Sequence, residues 1–385
     1  MNVQDMISTL VIGGGIGGLS LARELAVRGL PVTVLEKAPQ LNPVGAGIIM
    51  NPNAMRVLER NGLAEAVRLD SWPYLVRETC DSRGRSLAMR DYRPLYEAGK
   101  LSVGALVHRA HLLDVLYRSL PPAAVRFNVS VTNIDVRSDR VRAETGRGEV
   151  FEADLLAGAD GIHSQVRSRL FGEIRPRYMG YRSHRLIVDN AAGVRHFTEF
   201  LGRGQRIGLV PISAARLYVW TTFNSPQAQP PVFDSMGRFR DAFRQFTDGR
   251  IARVFSQLRS MDGVISTDIE EMALDEWTRG RSALLGDAVH PMTPNIGQGA
   301  GMAMEDATVL AEELALSPLE IALDSYARRR KPRVDTVVRI SREVGADGQR
   351  SSPVGCWLRN RRIRREGRNA EKMQADLERL LAYPA

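Results

Sequence analysis

Short apolar runs alternate with a helical pattern at the start of the chain. Residues 7–12 are rich in branched apolar side chains, the spacing over 16–28 predicts an amphipathic helix that Gly29 ends, and 32–35 is a second apolar run. Runs this short, bounded by glycine, are typical of buried strands in a parallel sheet. The order therefore predicts a strand–helix–strand unit at the N-terminus.

The same pattern returns twice further along the chain. Residues 152–156 predict a strand that ends in the turn Gly158-Ala159-Asp160-Gly161, and a helical pattern follows it. A third apolar run over 281–285 ends in Gly286-Asp287, and residues 302–314 are again helical. Each of these turns, taken alone, is also what an ordinary strand-to-helix connection looks like.

The rest of the chain has a different texture. Over 125–150 and over 176–267, apolar and polar residues alternate and Pro, Gly and Asn separate the runs, which predicts antiparallel strands with one face buried. A helical segment is expected at about 238–246. From 339 to the end the pattern predicts helices with basic faces, the last of them at 370–381.

These patterns predict an α/β fold: a Rossmann-like nucleotide-binding domain, an inserted and mostly antiparallel β-sheet domain that holds the substrate, and C-terminal helices. We assign residues 1–75, 101–172 and 277–340 to the nucleotide-binding domain, 76–100 and 173–276 to the substrate domain, and 341–385 to the basic C-terminal helices.

Composition limits the class of protein. With 385 residues, 44% of them hydrophobic and 25% charged, the chain can bury a large core and form about two domains. No cleavable signal peptide is visible, and no run approaches the roughly 20 apolar residues that span a bilayer. Cys80 and Cys356 are far apart and fit no metal-ligand spacing, so we expect no metal site and reduced thiols in a cytoplasmic protein.

The net charge is positive, which raises the question of a nucleic acid or an anionic membrane surface as partner. The formal charge is +9, with the excess concentrated around 328–331 and 359–368. A solvated helix face accounts for such a tract, and no recognisable nucleic-acid module accompanies it. We therefore expect no nucleic-acid partner and no transmembrane segment.

The first glycine-rich turn carries the most specific motif. Gly13, Gly15 and Gly18 form G-x-G-x-x-G between the predicted strand and helix, and Glu36 ends the second strand. The glycines allow a tight turn, the approach of a diphosphate and close helix–strand packing, while the acid can accept hydrogen bonds from a ribose. An acid here favours FAD or NAD over NADP.

Taken together, the three strand-end turns resemble the single-component flavoprotein aromatic hydroxylases of the p-hydroxybenzoate or salicylate hydroxylase type. The resemblance covers residues 7 to about 307 and implies bound FAD. It implies that the first turn holds the ADP part, that Asp160 serves FAD and the transient nicotinamide, and that Asp287 binds the ribitol. The helix that opens near Gly299 would face the flavin ring, and its positive end suits an anionic reduced flavin.

Two further segments take a role from the same resemblance. The glycine-rich loop 45–53 corresponds to the segment that lies along the mobile flavin, and Arg109 to a flavin-contacting arginine; a plain helix cap and a surface loop are the alternatives. The positions assigned to the cofactor are Gly13, Gly15, Ile16, Gly18, Glu36, Lys37, Gly47, Arg109, Asp160, Asp287, Pro294, Gly297, Gly299, Ala300 and Gly301.

The resemblance also implies the reaction. NADH or NADPH would reduce FAD, and a flavin C4a-hydroperoxide would pass an oxygen atom from O₂ to a small aromatic or heteroaromatic substrate. The chain departs from the family at Gly180–Arg185, where many relatives have a tryptophan-containing strand, so the usual substrate contacts cannot be carried over.

Candidate catalytic groups come from the substrate domain. A base is wanted to take a phenolic proton, and His184 and Tyr218 are candidates, with Arg185 or Arg216 to hold an anionic substrate. His290 is assigned to the flavin-site loop. Each of these side chains equally suits a structural role.

Three alternatives stay open. A flavin-dependent epoxidase or reductase of a non-aromatic substrate would keep the cofactor and change the chemistry. An NAD-linked dehydrogenase would explain the first turn but leaves Asp160 and Asp287 without a purpose. A flavoprotein or basic-tailed binding module without turnover is the third. We expect an enzyme that is a monomer or a homodimer.

Overall fold

The computed structural model describes residues 6–41, 46–227, 233 and 235–382. Its strands are β1 (Thr9–Ile12), β2 (Val32–Leu35), β3 (Gly47–Met50), β4 (Ser71–Tyr74), β5 (Val76–Asp81), β6 (Ser86–Asp91), β7 (Gly104–His108), β8 (Val125–Arg126), β9 (Val131–Val136), β10 (Val141–Thr145), β11 (Val150–Ala153), β12 (Leu155–Gly158), β13 (Arg177–Asp189), β14 (Phe197–Leu201), β15 (Gln205–Pro211), β16 (Arg216–Asn224), β17 (Ile265–Glu271) and β18 (Ser282–Leu284).

Its α-helices are α1 (Ile16–Val27), α2 (Pro52–Arg60), α3 (Ala64–Arg68), α4 (Arg93–Glu97), α5 (Arg109–Arg118), α6 (Gln165–Phe171), α7 (Met236–Ala242), α8 (Gly249–Gln257), α9 (Gly299–Leu316), α10 (Leu319–Gly348), α11 (Pro353–Glu366) and α12 (Ala370–Leu381). Short 3₁₀ turns cover Gly286–Ala288 and Pro294–Ile296. Among the described helices, none is long and apolar enough to cross a membrane.

A parallel sheet forms the centre of the Rossmann-like part. Its strand order is β18-β12-β1-β2-β8, and every pair in it is parallel. The three strands that carry the glycine turns are neighbours, with Ile12 beside Gly158 and Gly158 beside Leu284. Because carboxyl ends of parallel strands meet at one edge of a sheet, the three turns meet there. The predicted α/β fold with separate antiparallel sheets is confirmed.

The antiparallel part is a seven-stranded sheet in the order β17-β13-β16-β15-β14-β5-β6, in which only β14 and β5 are parallel. Chain segments 76–91 and 177–271 thus share one sheet. One face packs on α7 and α8 through a cluster rich in phenylalanine, including Phe239, Phe243 and Phe255. The other face turns toward the Rossmann-like part, and Tyr218 on that face meets Gly47 of β3; the space between the two parts beside this contact is called the cleft below.

A small sheet, β3-β7-β4, connects these parts, and here a prediction was wrong. Residues 47–50 were expected in a loop but form β3, because Ile48 and Ile49 pair with Val107 and Leu106 of β7. Gly45 lies outside the described residues. Two helices also differ from expectation: α8 had no prediction, and α10 begins at Leu319 rather than near 339 and continues through Pro332.

Candidate active site

The first and second turns are in direct contact. Gly13 has φ +108°, and a Cβ at this position would lie 2.5 Å from the carbonyl oxygen of Ala159. Leu285, which enters the third turn, donates its N–H to the carbonyl of Gly158 over 3.0 Å. The three turns, far apart in sequence, therefore form one continuous wall.

The N-terminus of α1 is closed on one side and open on the other. A Cβ on Gly18 would collide with the carbonyl oxygen of Gly13, whereas a Cβ on Gly15 would have no atom within 4 Å. Gly15 is the N-cap and no side chain caps the first amides. Open amides at the positive end of a helix fit a diphosphate.

Glu36 is fixed by the backbone around it. Its Oε2 accepts the N–H of Gly14 over 2.6 Å and its Oε1 accepts the N–H of Ala38 over 2.7 Å. A carboxylate has about four acceptor positions, so the remaining ones can accept from ribose hydroxyls. Ile16 packs into the neighbouring apolar cluster, and Lys37 is exposed beside the carboxylate.

Asp160 accepts hydrogen bonds from the N-terminus of helix α6. Its carboxylate accepts from the hydroxyl of Ser164 and from the N–H groups of Gln165 (2.7 Å) and Val166 (3.2 Å). Arg167 does not act as its hydrogen-bonded partner; its guanidinium donates to the carbonyls of Ala288 (3.0 Å) and Ile162 (2.7 Å). Arg167 thereby ties the second turn to the third.

The third turn presents an exposed acid between buried neighbours. Asp287 is exposed, while Gly286 and Ala288 on either side are buried. Protein atoms around the cleft withdraw solvent and raise the pKa of the Asp287 carboxyl above its usual value, and the charges of His290 and Arg109 oppose this. An acid in this setting can accept hydrogen bonds from ligand hydroxyls.

The start of α9 packs beside the end of β3, since a Cβ on Gly297 would lie 3.4 Å from Cβ of Ile49. Gly297 has φ +65°, and its carbonyl accepts from Nδ2 of Asn51 over 2.7 Å. Gly299 and Ala300 in the first turn are partly exposed, and no side chain caps their amides. Gly301 is buried against Asn53, and Pro294 is exposed beside the helix start. This is a second open helix N-terminus at the same cleft.

Arg109 is the residue that connects Asp287 with the antiparallel sheet, because its guanidinium interacts electrostatically with both Asp287 and Arg185. The backbone N–H of Arg109 donates to the carbonyl of Ala46 over 3.2 Å. Burial lowers the pKa of the Arg109 guanidinium, Arg185 lowers it further, and Asp287 opposes both. A Cβ on Gly47 would collide with Tyr218, so strand β3 lies directly on strand β16. Gly47, Arg109, Arg185, Tyr218 and Asp287 are thus brought to one place.

The comparisons with known proteins point in the same direction as this geometry. Residues 6–341 match the model of a protein family described as FAD binding domain. The chain belongs to this FAD-binding family. It is 34% identical over 365 residues to aurachin C monooxygenase/isomerase of Stigmatella aurantiaca, covering 93% of this chain and 94% of the relative.

Two more similarities extend over the same length. Identity is 32% over 367 residues to the 2-heptyl-3-hydroxy-4(1H)-quinolone synthase of Pseudomonas aeruginosa, covering 93% of this chain and 94% of that one. Among solved structures, HpxO of Klebsiella pneumoniae complexed with FAD and uric acid superposes with a TM-score of 0.89, at 27% identity and with all of both chains covered.

The chain is therefore an FAD-dependent monooxygenase that uses NAD(P)H and O₂ to hydroxylate a small aromatic or heteroaromatic substrate. The epoxidase or reductase alternative is not favoured, and a plain dehydrogenase would not use the second and third turns. The open amides at Gly15 and at Gly299 and the exposed acid Asp287 fit FAD. When bound, FAD accepts the hydride and activates oxygen.

Behind the flavin-site loop lies a buried charge network that the sequence reading missed. Arg330, fully buried, donates through Nη1 to Glu305 over 2.6 Å and through Nε to Asp306 over 2.7 Å. Asp306 also accepts from the N–H of Gly286 (3.0 Å) and is 2.6 Å from Nε2 of His290. The network fixes the loop that carries Asp287. Acids inside the otherwise apolar pattern of 302–314 were the available signal.

His184 does not lie in the flavin cleft. It is buried on the outer face of β13, stacked on Phe223 with ring centroids 5.3 Å apart and flanked by Phe239. Burial lowers the pKa of its imidazole to about 4, with Arg182 adding to the shift. Because neighbouring strand residues point to opposite faces, Arg185 faces the cleft and His184 cannot. The structure thus places His184 away from the cleft in which the sequence analysis expected it to act as a base.

Trp220 is a cleft residue that the sequence reading did not single out. It stands directly opposite Arg185 in the β13–β16 register, and its partly exposed indole lies over Gly208, where any Cβ would collide with the ring. The guanidinium carbon of Arg206 lies 5.5 Å from the indole centroid, and Nη2 of the same side chain donates to Oδ1 of Asn295 over 2.6 Å. The indole ring of Trp220 therefore lies against the sheet at Gly208, and its position is fixed.

Proposed function

We propose that the substrate is a hydroxy- or oxo-substituted N-heteroaromatic ring of about 4-quinolone size. Arg185, Tyr218 and Trp220 share the inner face of the seven-stranded sheet and line the side of the cleft opposite Asp287 and the start of α9. An aromatic ring can stack on the fixed indole of Trp220, while Arg185 binds the ring oxygen. The name of the 2-heptyl-3-hydroxy-4(1H)-quinolone synthase, to which the chain is 32% identical, supports this size and class.

The electrostatics of the cleft support a deprotonated substrate. Arg109 and Arg185 lie close enough that one lowers the pKa of the other. Two cations facing one space stabilise an anionic ring oxygen, and the deprotonated form of the ring is the more electron-rich one that accepts an oxygen atom. Arg185 also donates through Nη2 to Thr267 Oγ1 over 2.9 Å, which fixes its guanidinium.

Tyr218 acts in this proposal as a hydrogen-bond donor. Burial raises the pKa of its phenol to about 12, with Arg185 opposing the shift. At neutral pH the phenol stays protonated, so it donates to the substrate oxygen rather than taking its proton. In this proposal the candidates have different roles. Arg185 binds the anionic substrate oxygen, Tyr218 donates a hydrogen bond to it, and the assigned positions from Gly13 to Gly301 hold FAD.

A substrate screen tests the proposal. The purified FAD-loaded protein is mixed with NADH or NADPH and a panel of 4-quinolones, hydroxypyridine carboxylates and aminohydroxybenzoates, and oxygenated product is measured beside nicotinamide oxidation. We expect 4-quinolones to give the highest kcat/KM with oxygen transferred to product. Preference for a non-aromatic alkene, or nicotinamide oxidation with no oxygenated product from any ring, would contradict it.

The exchange Arg185→Gln is expected to lower kcat/KM by about ten- to a hundredfold, mainly through KM, because a hydrogen bond to a charged group is worth about 1.5–3 kcal/mol. Arg177→Gln is the matched control, since Arg177 is exposed on the same strand. Equal kinetics in the two variants would remove Arg185 from the substrate site.

The exchange Tyr218→Phe tests whether the Tyr218 phenol donates a hydrogen bond to the substrate or takes a proton from it. We expect kcat to fall by about tenfold, the effect of one hydrogen bond worth about 1 kcal/mol or a little more. The pH profile of kcat/KM should keep its shape, because no ionisation of Tyr218 occurs in the working range. Loss of a limb in that profile would show that Tyr218 takes the proton.

We further propose a cytoplasmic enzyme that is a monomer or a homodimer and has no nucleic-acid partner. Cys80 and Cys356 are both free and buried, which fits a reducing compartment. Size-exclusion chromatography coupled to light scattering distinguishes the two oligomeric states.

A further inference from the structure

Helix α11 is fastened to the body of the protein along one side. Cys356 and Arg359 are buried, and the guanidinium of Arg359 donates to the carbonyls of Gly348 (3.2 Å) and Gly202 (3.1 Å). Just beyond its end, Gly367 packs so closely that a Cβ there would lie 2.8 Å from Cβ of Ala88. These contacts fix which side of α11 faces outward.

The outward side begins with three large apolar residues. Val354 is 67% exposed, Trp357 58% and Leu358 53%. At 3.6 residues per turn they occupy one face of the helix, opposite Cys356 and Arg359. Single exposed apolar residues are ordinary on protein surfaces, but three neighbours on one helical face, with an indole among them, form a patch.

The same face becomes basic one turn later. Arg361 and Arg365 lie on this face and Arg368 follows in the turn just after the helix; all three are exposed, and no carboxylate of the described chain lies within 4 Å of them. The guanidinium of Arg361 lies over the indole of Trp357, 5.5 Å from its centroid. From Val354 to Arg365 the face runs about 16 Å, at 1.5 Å per residue.

We propose that this face of α11 docks on an anionic phospholipid bilayer. Val354, Trp357 and Leu358 enter the boundary between headgroups and acyl chains, and the three arginines, which have no carboxylate of the described chain within 4 Å, bind lipid phosphates. Tryptophan favours that boundary because its ring is apolar and its N–H is polar. Guanidinium groups bind phosphate oxygens with two parallel hydrogen bonds.

The combination of features favours a lipid surface over nucleic acid. Nucleic acid attracts the arginines but offers no apolar layer for Val354 and Leu358 beside them. A bilayer offers both layers in the order that the helix face presents them. The solvated basic face inferred from sequence is therefore only half of the surface, because the apolar half precedes the arginines and becomes visible only once the outward side is known.

The test uses the FAD-loaded full chain and vesicle flotation. Vesicles of phosphatidylglycerol and phosphatidylcholine in equal parts are compared with pure phosphatidylcholine. We expect binding to the anionic vesicles, weakened more than about tenfold by the triple variant Arg361→Glu, Arg365→Glu, Arg368→Glu, since each basic residue near such a surface adds to the attraction. Trp357→Gln should weaken it as well.

The matched control is the triple variant Arg195→Glu, Arg253→Glu, Arg259→Glu, which makes the same change in net charge at exposed positions outside α11. It should bind anionic vesicles far better than the α11 variant, and both should keep wild-type turnover and circular dichroism. Trp357→Phe should still bind but lose the blue shift of tryptophan fluorescence that vesicles cause.

Three results would overturn the proposal. Equal weakening by both triple variants would show only a general charge effect. Binding of the wild type to duplex DNA without binding to vesicles would make nucleic acid the occupant. A dimer that Trp357→Gln dissociates, again without vesicle binding, would make a second copy of the chain the occupant.

Discussion

Replacing Arg330 with methionine is expected to destabilise the folded enzyme by about 3–5 kcal/mol, because it breaks two buried ion pairs and leaves Asp306 without an arginine partner, while Glu305 keeps Arg333. Arg330 is completely buried and bridges Glu305 at 2.6 Å and Asp306 at 2.7 Å. Methionine has a similar length and no charge, so the change removes the ion pairs while largely filling the space. Chemical denaturation of the FAD-loaded protein measures the difference.

Arg328→Met is the matched control on the same helix. Arg328 is exposed and pairs with Asp324 at the surface over 3.2 Å, so its loss should cost under about 1 kcal/mol. If both variants unfold at the same denaturant concentration, the buried network does not stabilise the fold and is no support for the loop at Asp287.

Arg330→Met should also shift the pH at which the protein unfolds in acid. Burial alone would raise the pKa of Asp306, but the charges of His290 and Arg330 lower it to about 2. A carboxyl with a lowered pKa stabilises the fold above its ordinary value near 4, and this contribution is lost as the pH falls toward 2. Without Arg330 the pKa of Asp306 rises. The midpoint of acid unfolding should therefore move to higher pH in Arg330→Met and stay in place in Arg328→Met.

The three glycine turns could be found from sequence because their signal is local. A short apolar run, a glycine and a helical pattern follow one another within about twenty residues at Gly13, near Asp160 and at Asp287. The parallel sheet then brings them together without further information. That Leu285 bonds to Gly158, or that Arg167 reaches Ala288, could not be predicted, since these contacts join segments more than a hundred residues apart.

The substrate side of the cleft was harder to predict, because strand periodicity leaves one choice open. Alternation along β13 says that His184 and Arg185 point to opposite faces, but not which face meets the flavin domain. The structure decides it: phenylalanines of α7 and α8 cover the His184 side. Trp220 became a candidate only through its register opposite Arg185. The chain departs from the resembled family at Gly180–Arg185, where many relatives have a tryptophan-containing strand; here a tryptophan stands on the neighbouring strand β16.

The buried network shows a different limit of sequence reading. Glu305 and Asp306 stand on α9 and Arg330 on α10, and helix-face reasoning gives each side chain only a direction on its own helix. Which helices pack together, and at what rotation, is set by the whole core. The acids at 305 and 306 could be flagged as unusual inside an apolar helix, but their partner could not be chosen among the basic residues at 328–333.

Asp287→Ala is expected to yield a protein that is largely free of flavin. We assign Asp287 to the sugar-alcohol chain of FAD, where its carboxylate accepts hydrogen bonds from hydroxyls, and charged hydrogen bonds of this kind contribute about 1.5–3 kcal/mol. The affinity for FAD should then fall by about ten- to a hundredfold. The ratio of flavin to protein absorbance after purification, and titration with added FAD, measure the loss. Asp262→Ala, at an exposed position in another loop, should keep the wild-type ratio.

The loss at Asp287 must be separated from a loss of folding. Asp287 is exposed and contributes no hydrogen bond to the buried network, so Asp287→Ala should unfold at nearly the wild-type denaturant concentration once both proteins are stripped of FAD. Arg330→Met should behave in the opposite way, with lower stability even when FAD is saturating. Full FAD occupancy in Asp287→Ala would break the assignment of the third turn to the cofactor, and with it the orientation that places the flavin ring beside Arg185 and Trp220.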